Sequence, residues 1–499
     1  MSAVTALVLT FAPTVVGSLA ALVFDALEHR RLCVLAAGSG LALSGAAGIA
    51  ASLTVNVTLL GGAVRVGGPF SAVPGVIALL AAVAVLGGCD EVLRRDRAGA
   101  SVALIGLGAA ASGVMACASD LTLLLVAVES AAVCAYALVS LGSSRRADEA
   151  AIKYFVQGAV ATALFVFGLA VLVGVFVPDG RYDGLAAALV TPGMELTALA
   201  GALLIISALA FKIGAAPFHS WAPDAYETAP FESAAFLASG PKLGALAALA
   251  LFSAVVMSGS LAPRLVPVLA ALSILSVLVG SLVALKQASY TRMLAYAGIA
   301  QAGYALIAMT VLSPLVALFF ATTYALASTG TFLAAAEFKR ARPDWDGSIQ
   351  GLAGLGRRLP ATSISLATLL VSLAGIPPLL GFWGKLQVFA SVIVAAAGRF
   401  VSGTVPEGWL LVAVAVVGIL GSVVSVAYYG SVLKSLFFDS GEPPEASPVG
   451  FAEMASDEKR VSLGTAGLAV IALAVAVAVL GLLPLFFGTA ALMAPFLAR

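Results

Sequence analysis

The sequence predicts an all-α, polytopic membrane protein of about 14 transmembrane helices, with two inverted five-helix repeats and broken helices 7 and 12. Three observations lead there. Hydrophobic residues fill 61% of the 499 positions and charged residues only 10%, too few charges to clothe several soluble domains. Apolar runs of roughly twenty residues, the length that crosses a hydrocarbon layer, recur from end to end. Two of the longer runs are broken by proline beside glycine, at Pro217 and Pro377.

The spans fall at about 3–24, 32–53, 70–89, 99–118, 120–141, 152–177, 195–221, 231–257, 264–285, 292–311, 313–338, 360–397, 408–434 and 461–490. The opening "MSAVTALVLTF" lacks the basic segment of a signal peptide and reads as a retained span. Eighteen Lys and Arg residues fall in connections after odd-numbered spans, against five on the other side (Arg65, Arg181, Arg264, Arg399 and Arg499). Connections rich in Lys and Arg stay cytoplasmic, so both termini are expected on the non-cytoplasmic side. Abundant Ala, Gly, Val and Arg with scarce Lys suit a GC-rich bacterial genome, and hence a multi-pass protein of the bacterial cytoplasmic membrane.

The domains expected are 1–98 (helices 1–3), 99–257 (helices 4–8), 258–434 (helices 9–13) and 435–499 (a connecting loop and helix 14). "FKIGAAPFHSW" in the seventh span is answered by "LAGIPPLLGFWGKL" in the twelfth. Proline removes a donor and clashes with the preceding turn, so each helix should open there. In lipid, open backbone survives only inside protein or beside water. Paired breaks in two halves of a membrane chain point to an inverted repeat with a transport path at the breaks. Five spans per unit, an odd number, give the inversion.

Several functions are disfavoured. A formal net charge of +1 without a basic arm argues against nucleic-acid binding. Cys33, Cys89, Cys117 and Cys134 are far apart, form no C-x-x-C pair, and read as buried small hydrophobes. "GLGAAASG" at 106–113 has the wrong spacing for a nucleotide fingerprint and suits helix packing instead. Redox cofactors are therefore expected on other chains, with none on this one.

Three lysines, Lys212, Lys242 and Lys385, and one acid, Glu129, lie well inside apolar spans. A charge at that depth costs at least a few kcal/mol and persists when paired, hydrated or functional. Lys212 precedes the first break, Lys385 follows the second, and Lys242 follows Pro241 in "ASGPKLGA". Polar stripes accompany them: Thr122, Glu129 and Tyr136; Gln301 and Tyr304; Tyr324, Ser328 and Thr331. Such stripes fit either a file of water or hydrogen bonds between helices. His219, beside Trp221, reads as an interfacial anchor toward the cytoplasmic end. Asp224 and Glu227 read as loop and capping residues, and Lys153, Glu337 and Lys434 as snorkelling charges.

"FKIGAAPFHSWAPDAYETAP", "ASGPKLGA", "TRMLAYAGIAQAGY" and "SLAGIPPLLGFWGKL" resemble signature segments of the antiporter-like subunits of respiratory complex I. The Trp-x-Pro-Asp-x-Tyr-Glu form is most similar to the subunit N branch of bacterial proton-pumping NADH:quinone oxidoreductase. The resemblance covers nearly the whole chain. It implies one proton path per subunit within a multisubunit membrane arm. Glu129 would be the acid of the fifth helix, Lys212 its partner in the seventh, Lys242 the central lysine and Lys385 the terminal one. His219, Gln301, Tyr324 and Ser328 would support the path. Flavin, iron–sulfur clusters and quinone would sit on partner subunits, the expected neighbours being subunits M, K and J. One departure stands out: Gln301 lies where relatives often carry histidine, and an amide does not exchange protons at ordinary pH. The related alternative is a membrane subunit of a multisubunit cation/proton antiporter or membrane-bound hydrogenase.

Overall fold

The computed structural model describes residues 2–177, 179–189, 195–257, 261–439 and 462–487. Lys459, Arg460 and Arg499, used above to orient the chain, lie outside them. Thirteen helices among the described residues are long and apolar enough to cross a membrane. They begin with α1 (Ala3–Ala26), α2 (Arg30–Thr54), α3 (Gly68–Gly87), and, after the short α4 (Cys89–Val92), α5 (Ala98–Cys117), α6 (Leu121–Ser140) and α7 (Arg145–Val175). Ser2, Asp120 and Ser144 cap α1, α6 and α7 by accepting from backbone N–H groups of the first turn, which spares those donors from lying bare at a helix start.

The all-α expectation needs one addition. Strands β1 (Asn56–Leu59) and β2 (Val64–Gly67) form an antiparallel hairpin, with Val57 opposite Val66 and Thr58 opposite Arg65. The β-branched residues of "NVTL" and "VRV" favour extended backbone, a short signal that the neighbouring apolar runs hide. Cys89 also departs from expectation: it opens α4 half-buried, whereas Cys33, Cys117 and Cys134 are buried.

The chain continues through α8 (Tyr182–Ala188), α9 (Glu195–Ile213), α10 (Trp221–Thr228), α11 (Phe231–Val256), α12 (Ala262–Ala284), α13 (Tyr290–Met309) and α14 (Pro314–Ala341). Then follow α15 (Leu355–Arg358), α16 (Pro360–Ala374), α17 (Leu380–Val401), α18 (Val405–Phe437) and α19 (Thr465–Phe487). The tenth predicted span is α13, a more polar helix of 20 residues. The seventh and twelfth are the pairs α9/α10 and α16/α17, each parted by an open stretch.

Both breaks begin at a glycine in the left-handed region, Gly214 (φ 71°) and Gly375 (φ 85°), which side-chain-bearing residues disfavour. The freed backbone groups find partners in protein. At the first break, Trp221 Nε1 donates to Phe211 O at 3.0 Å, and Ala216 N–H donates to Ser276 Oγ at 2.9 Å. At the second, Ser372 Oγ accepts from Gly381 N–H at 3.0 Å, and α19 covers the opening. There Trp383 Nε1 donates to Gly481 O at 2.8 Å.

Between the two breaks runs α11, whose apolar stretch is wholly enclosed by other helices. Pro241 cannot donate to Leu237 O, the carbonyl one turn back. Tyr226 Oη takes that place at 3.2 Å. A polar weakness in the central helix is thus closed by a side chain from α10.

Candidate functional site

Glu129 on α6 and Lys212 on α9 face one small cavity, lined also by Tyr136, Gly158, Thr162 and Phe211. About 10 Å³ of it is open to the centre of a water, close to the least that holds one. The two charges share the cavity without a direct ion pair. Glu129 instead accepts from Thr162 Oγ1 at 2.7 Å, and Lys212 Nζ lies 5.9 Å from the centre of the Tyr136 ring. Lys212 is 4% exposed. Gly158 leaves room for the Tyr136 hydroxyl, which a Cβ at this position would displace.

Lys242 is enclosed at the middle of the bundle. Its Nζ donates to Gly298 O at 3.1 Å, lies 3.5 Å from Tyr324 Oη, and faces the Tyr226 and Tyr324 rings. Ser328 Oγ sits 3.4 Å from the same Tyr324 hydroxyl. Lys385 occupies the second break: its Nζ donates to Ala374 O at 2.9 Å and to Ser422 Oγ at 2.8 Å. The Tyr304 ring lies 4.7 Å away. A second cavity, also with about 10 Å³ open to a water centre, is lined by Lys385, Gln301, Thr323, Tyr324 and Ser372. Tyr324 therefore touches the Lys242 ammonium and forms part of the wall beside Lys385.

Several contacts qualify the roles suggested by sequence. Gln301 Nε2 donates to Leu373 O at 3.2 Å, so this amide caps the open end of α16. Lys385 does the same for Ala374 O, and a cation is favoured at a helix C-terminus. His219 is half-buried, with its ring 6.4 Å from that of Tyr296. Its neighbour Trp221 is no interfacial anchor: it is buried and stacked on Tyr154. Asp224 and Glu227 are more than loop residues, since both accept from Arg292 Nη1 at 2.8 and 2.9 Å. Lys153 is tied to Glu149 at 2.6 Å and Asp224 at 3.6 Å.

Two acids are fully buried: Glu232, which sequence reasoning missed, and Glu337, which is enclosed and does not snorkel as expected. Glu232, at the first turn of α11, pairs with Arg95. Glu337 pairs with Arg340 and accepts from Gly464 N–H at 3.0 Å. Both stand near span ends, where an acid ordinarily reaches water. For Glu337 the available signal was Arg340 three residues on; for Glu232 the partner Arg95 lies 137 residues away, and the sequence around it carries no such signal. Thr162 and Ser422 were missed because one hydroxyl in an apolar helix usually bonds its own backbone.

An almost wholly helical bundle with two opened helices and a series of enclosed lysines defines a polytopic membrane protein of the broken-helix class. The profile of the family described as NADH:quinone oxidoreductase/Mrp antiporter, TM, matches residues 118–410, and the chain belongs to that family. It is 40% identical over 330 residues to NADH-quinone oxidoreductase subunit N 2 of Acidobacterium capsulatum, a match covering 64% of each chain. To subunit N 1 of Rhizobium meliloti it is 31% identical over 468 residues, covering 91% of this chain and 92% of the relative. Among solved structures it resembles a chain of respiratory complex I from Thermus thermophilus, with TM-score 0.74 and 29% identity over 95% of this chain and 97% of that one. A chain of the Mrp complex from Dietzia shares the fold, with TM-score 0.74 and 21% identity over 96% and 95% of the two chains.

Proposed function

We propose that the chain is a proton-translocating membrane-arm subunit of a bacterial NADH:quinone oxidoreductase, in the position of subunit N. Proton transfer along its buried Glu and Lys residues would be coupled to quinone reduction on other chains. The names of its relatives support the assignment. The observation that carries the path is Tyr324, whose hydroxyl meets Lys242 and whose side chain walls the Lys385 cavity.

Glu129, Lys242 and Lys385 each have a hydroxyl at hand, and Lys212 faces Glu129 across their shared cavity. Glu129 has two alternatives across its cavity: the neutral Thr162 hydroxyl that it holds and the Lys212 ammonium that it faces. Moving from the first to the second changes the electrostatic environment of Lys212, and with it the ease of proton release. Lys242 receives the proton on its Nζ lone pair and passes it, through the Tyr324 hydroxyl and a water beside Gln301, to Lys385. Gln301 holds the backbone and takes no proton itself. Lys385 discharges to the non-cytoplasmic side, where both termini lie. Flavin, iron–sulfur clusters and quinone belong to partner subunits in this reading, and the membrane neighbours are of the M, K and J kinds.

The test uses the assembled complex in vesicles. Lys212→Ala, Lys242→Ala and Lys385→Ala each lower proton pumping and coupled quinone reduction together. An assembled Lys242→Ala complex with full proton stoichiometry overturns the path.

A further inference from the structure

One face of α7 carries two cavities in line. Arg146, Glu149, Ala150 and Lys153 line an outer vestibule of ≈ 230 Å³ with Asp224, Glu227, Thr228 and Arg292. Gly158, Ala161, Thr162 and Phe165 line the inner cavity that Glu129 and Lys212 share. These positions recur every three or four residues, so they form one stripe. From Lys153 to Gly158 the rise is only about 7.5 Å. The vestibule lies at the end of the bundle where the basic connections gather, the end that retention of Lys and Arg assigns to the cytoplasm.

What separates the two is aromatic. Tyr154 is the next residue along the stripe and is buried. Its ring stacks on the Trp221 indole with centroids 4.0 Å apart and planes 2° from parallel. Phe211 closes the group, 6.2 Å from Tyr154 and 5.7 Å from Trp221, and Tyr136 meets Tyr154 edge-on at 4.7 Å. Phe211 and Tyr136 also line the inner cavity, while Lys153 and Asp224, sequence neighbours of this group, line the outer one. The stack is held at its base by Trp221 Nε1 on Phe211 O. It joins α10, the short helix after the break, to α7. The same short helix is tied by Asp224 and Glu227 to Arg292 on α13, across the two halves of the chain.

We infer that the Tyr154–Trp221–Phe211 stack is a shutter between a proton-collecting vestibule and the Glu129–Lys212 cavity. A vestibule carboxylate, Asp224 or Glu227, takes a proton from a hydronium ion in the outer water, so that a carboxyl O–H bond forms, a water molecule is released and the pairing with Arg292 weakens. When α10 shifts and the Tyr154 and Trp221 rings part, water bridges the gap. The O–H proton then passes to the Lys212 lone pair and the carboxylate is restored. Closed rings bar the return. This inference rests on Lys212 being a station, as proposed above.

Tyr154→Ala tests it in the reconstituted complex. Quinone reduction should continue while the ratio of protons pumped to quinone reduced falls and passive proton leak rises several-fold, with Tyr154→Phe restoring the ring and the coupling. An assembled Tyr154→Ala complex with an unchanged ratio and leak overturns the shutter. Should that variant fail to assemble, Asp224→Asn combined with Glu227→Gln decides: several-fold slower coupled turnover supports the vestibule, and an unchanged rate overturns it. If Lys212→Ala pumps normally the underlying path is wrong. If it does not, and Tyr154→Ala is normal, only the shutter falls.

Discussion

Single side chains at the two small cavities do separable jobs. Thr162 gives Glu129 a neutral partner away from Lys212. Thr162→Val keeps the shape, removes that partner and leaves Glu129 only the direction of Lys212. The expected outcome is an assembled complex with altered turnover, read as a several-fold change in the rate of coupled quinone reduction; an unchanged rate would reduce Thr162 to packing. Gln301 makes a different prediction. Gln301→Leu removes the side-chain donor to Leu373 O, at a cost of about 1 kcal/mol in stability, visible as a lower unfolding midpoint of the isolated complex. At this scale the sequence was informative about charge and about hydroxyls that share a stripe, such as Tyr324 and Ser328, and mute about isolated ones. Lys212, Lys242 and Lys385 stood out because a charge inside an apolar run is costly and so demands an account. Thr162 and Ser422 did not, because only the fold shows that their hydroxyls face Glu129 and Lys385.

The elements show how a helix can carry a proline where lipid would forbid it. In α11, the carbonyl freed by Pro241 is taken by Tyr226. Tyr226→Phe should cost roughly 1 kcal/mol or more, the usual range for stranding a buried acceptor. In a Pro241→Ala background, residue 241 supplies its own N–H to Leu237 O, and the cost of Tyr226→Phe should shrink. A double-mutant cycle on thermal stability measures the difference; equal costs in both backgrounds would disprove the substitution of one donor for the other. The two opened helices were legible from "GAAP" and "GIPP", because glycine and proline act on the backbone directly. Their partners were not. Trp221 looked like an interface residue by its position beside a loop, and only the chain's return along α7 brings Tyr154 beneath it.

Across the whole molecule, charged ties at one end join segments distant in sequence. Asp90 Oδ2 accepts from Thr465 N–H at 3.0 Å, Thr465 Oγ1 donates to Gly87 O at 2.9 Å, and Glu337 accepts from Gly464 N–H. The start of α19 is thereby fastened to both α4 and α14. Glu337→Ala leaves Arg340 without its buried carboxylate and should destabilise the protein by about 2–4 kcal/mol. Asp439→Ala, which breaks the exposed pair with Lys434, should change stability by less than about 1 kcal/mol. Thermal unfolding of the two variants side by side checks the contrast. The order of spans was readable from hydropathy and the sorting of arginines. These ties were not, since they depend on which ends meet.

The enclosure of α11 bears on how the protein is made. A segment that meets only other helices has no need to be oily enough to enter lipid unaided, and this one carries Glu232 at its foot and Lys242 at its waist. During synthesis it would be poorly retained in the bilayer until flanking segments arrive to shelter it. A nascent chain halted soon after Val256 should leave this stretch incompletely inserted, and one extended past α14 should seat it.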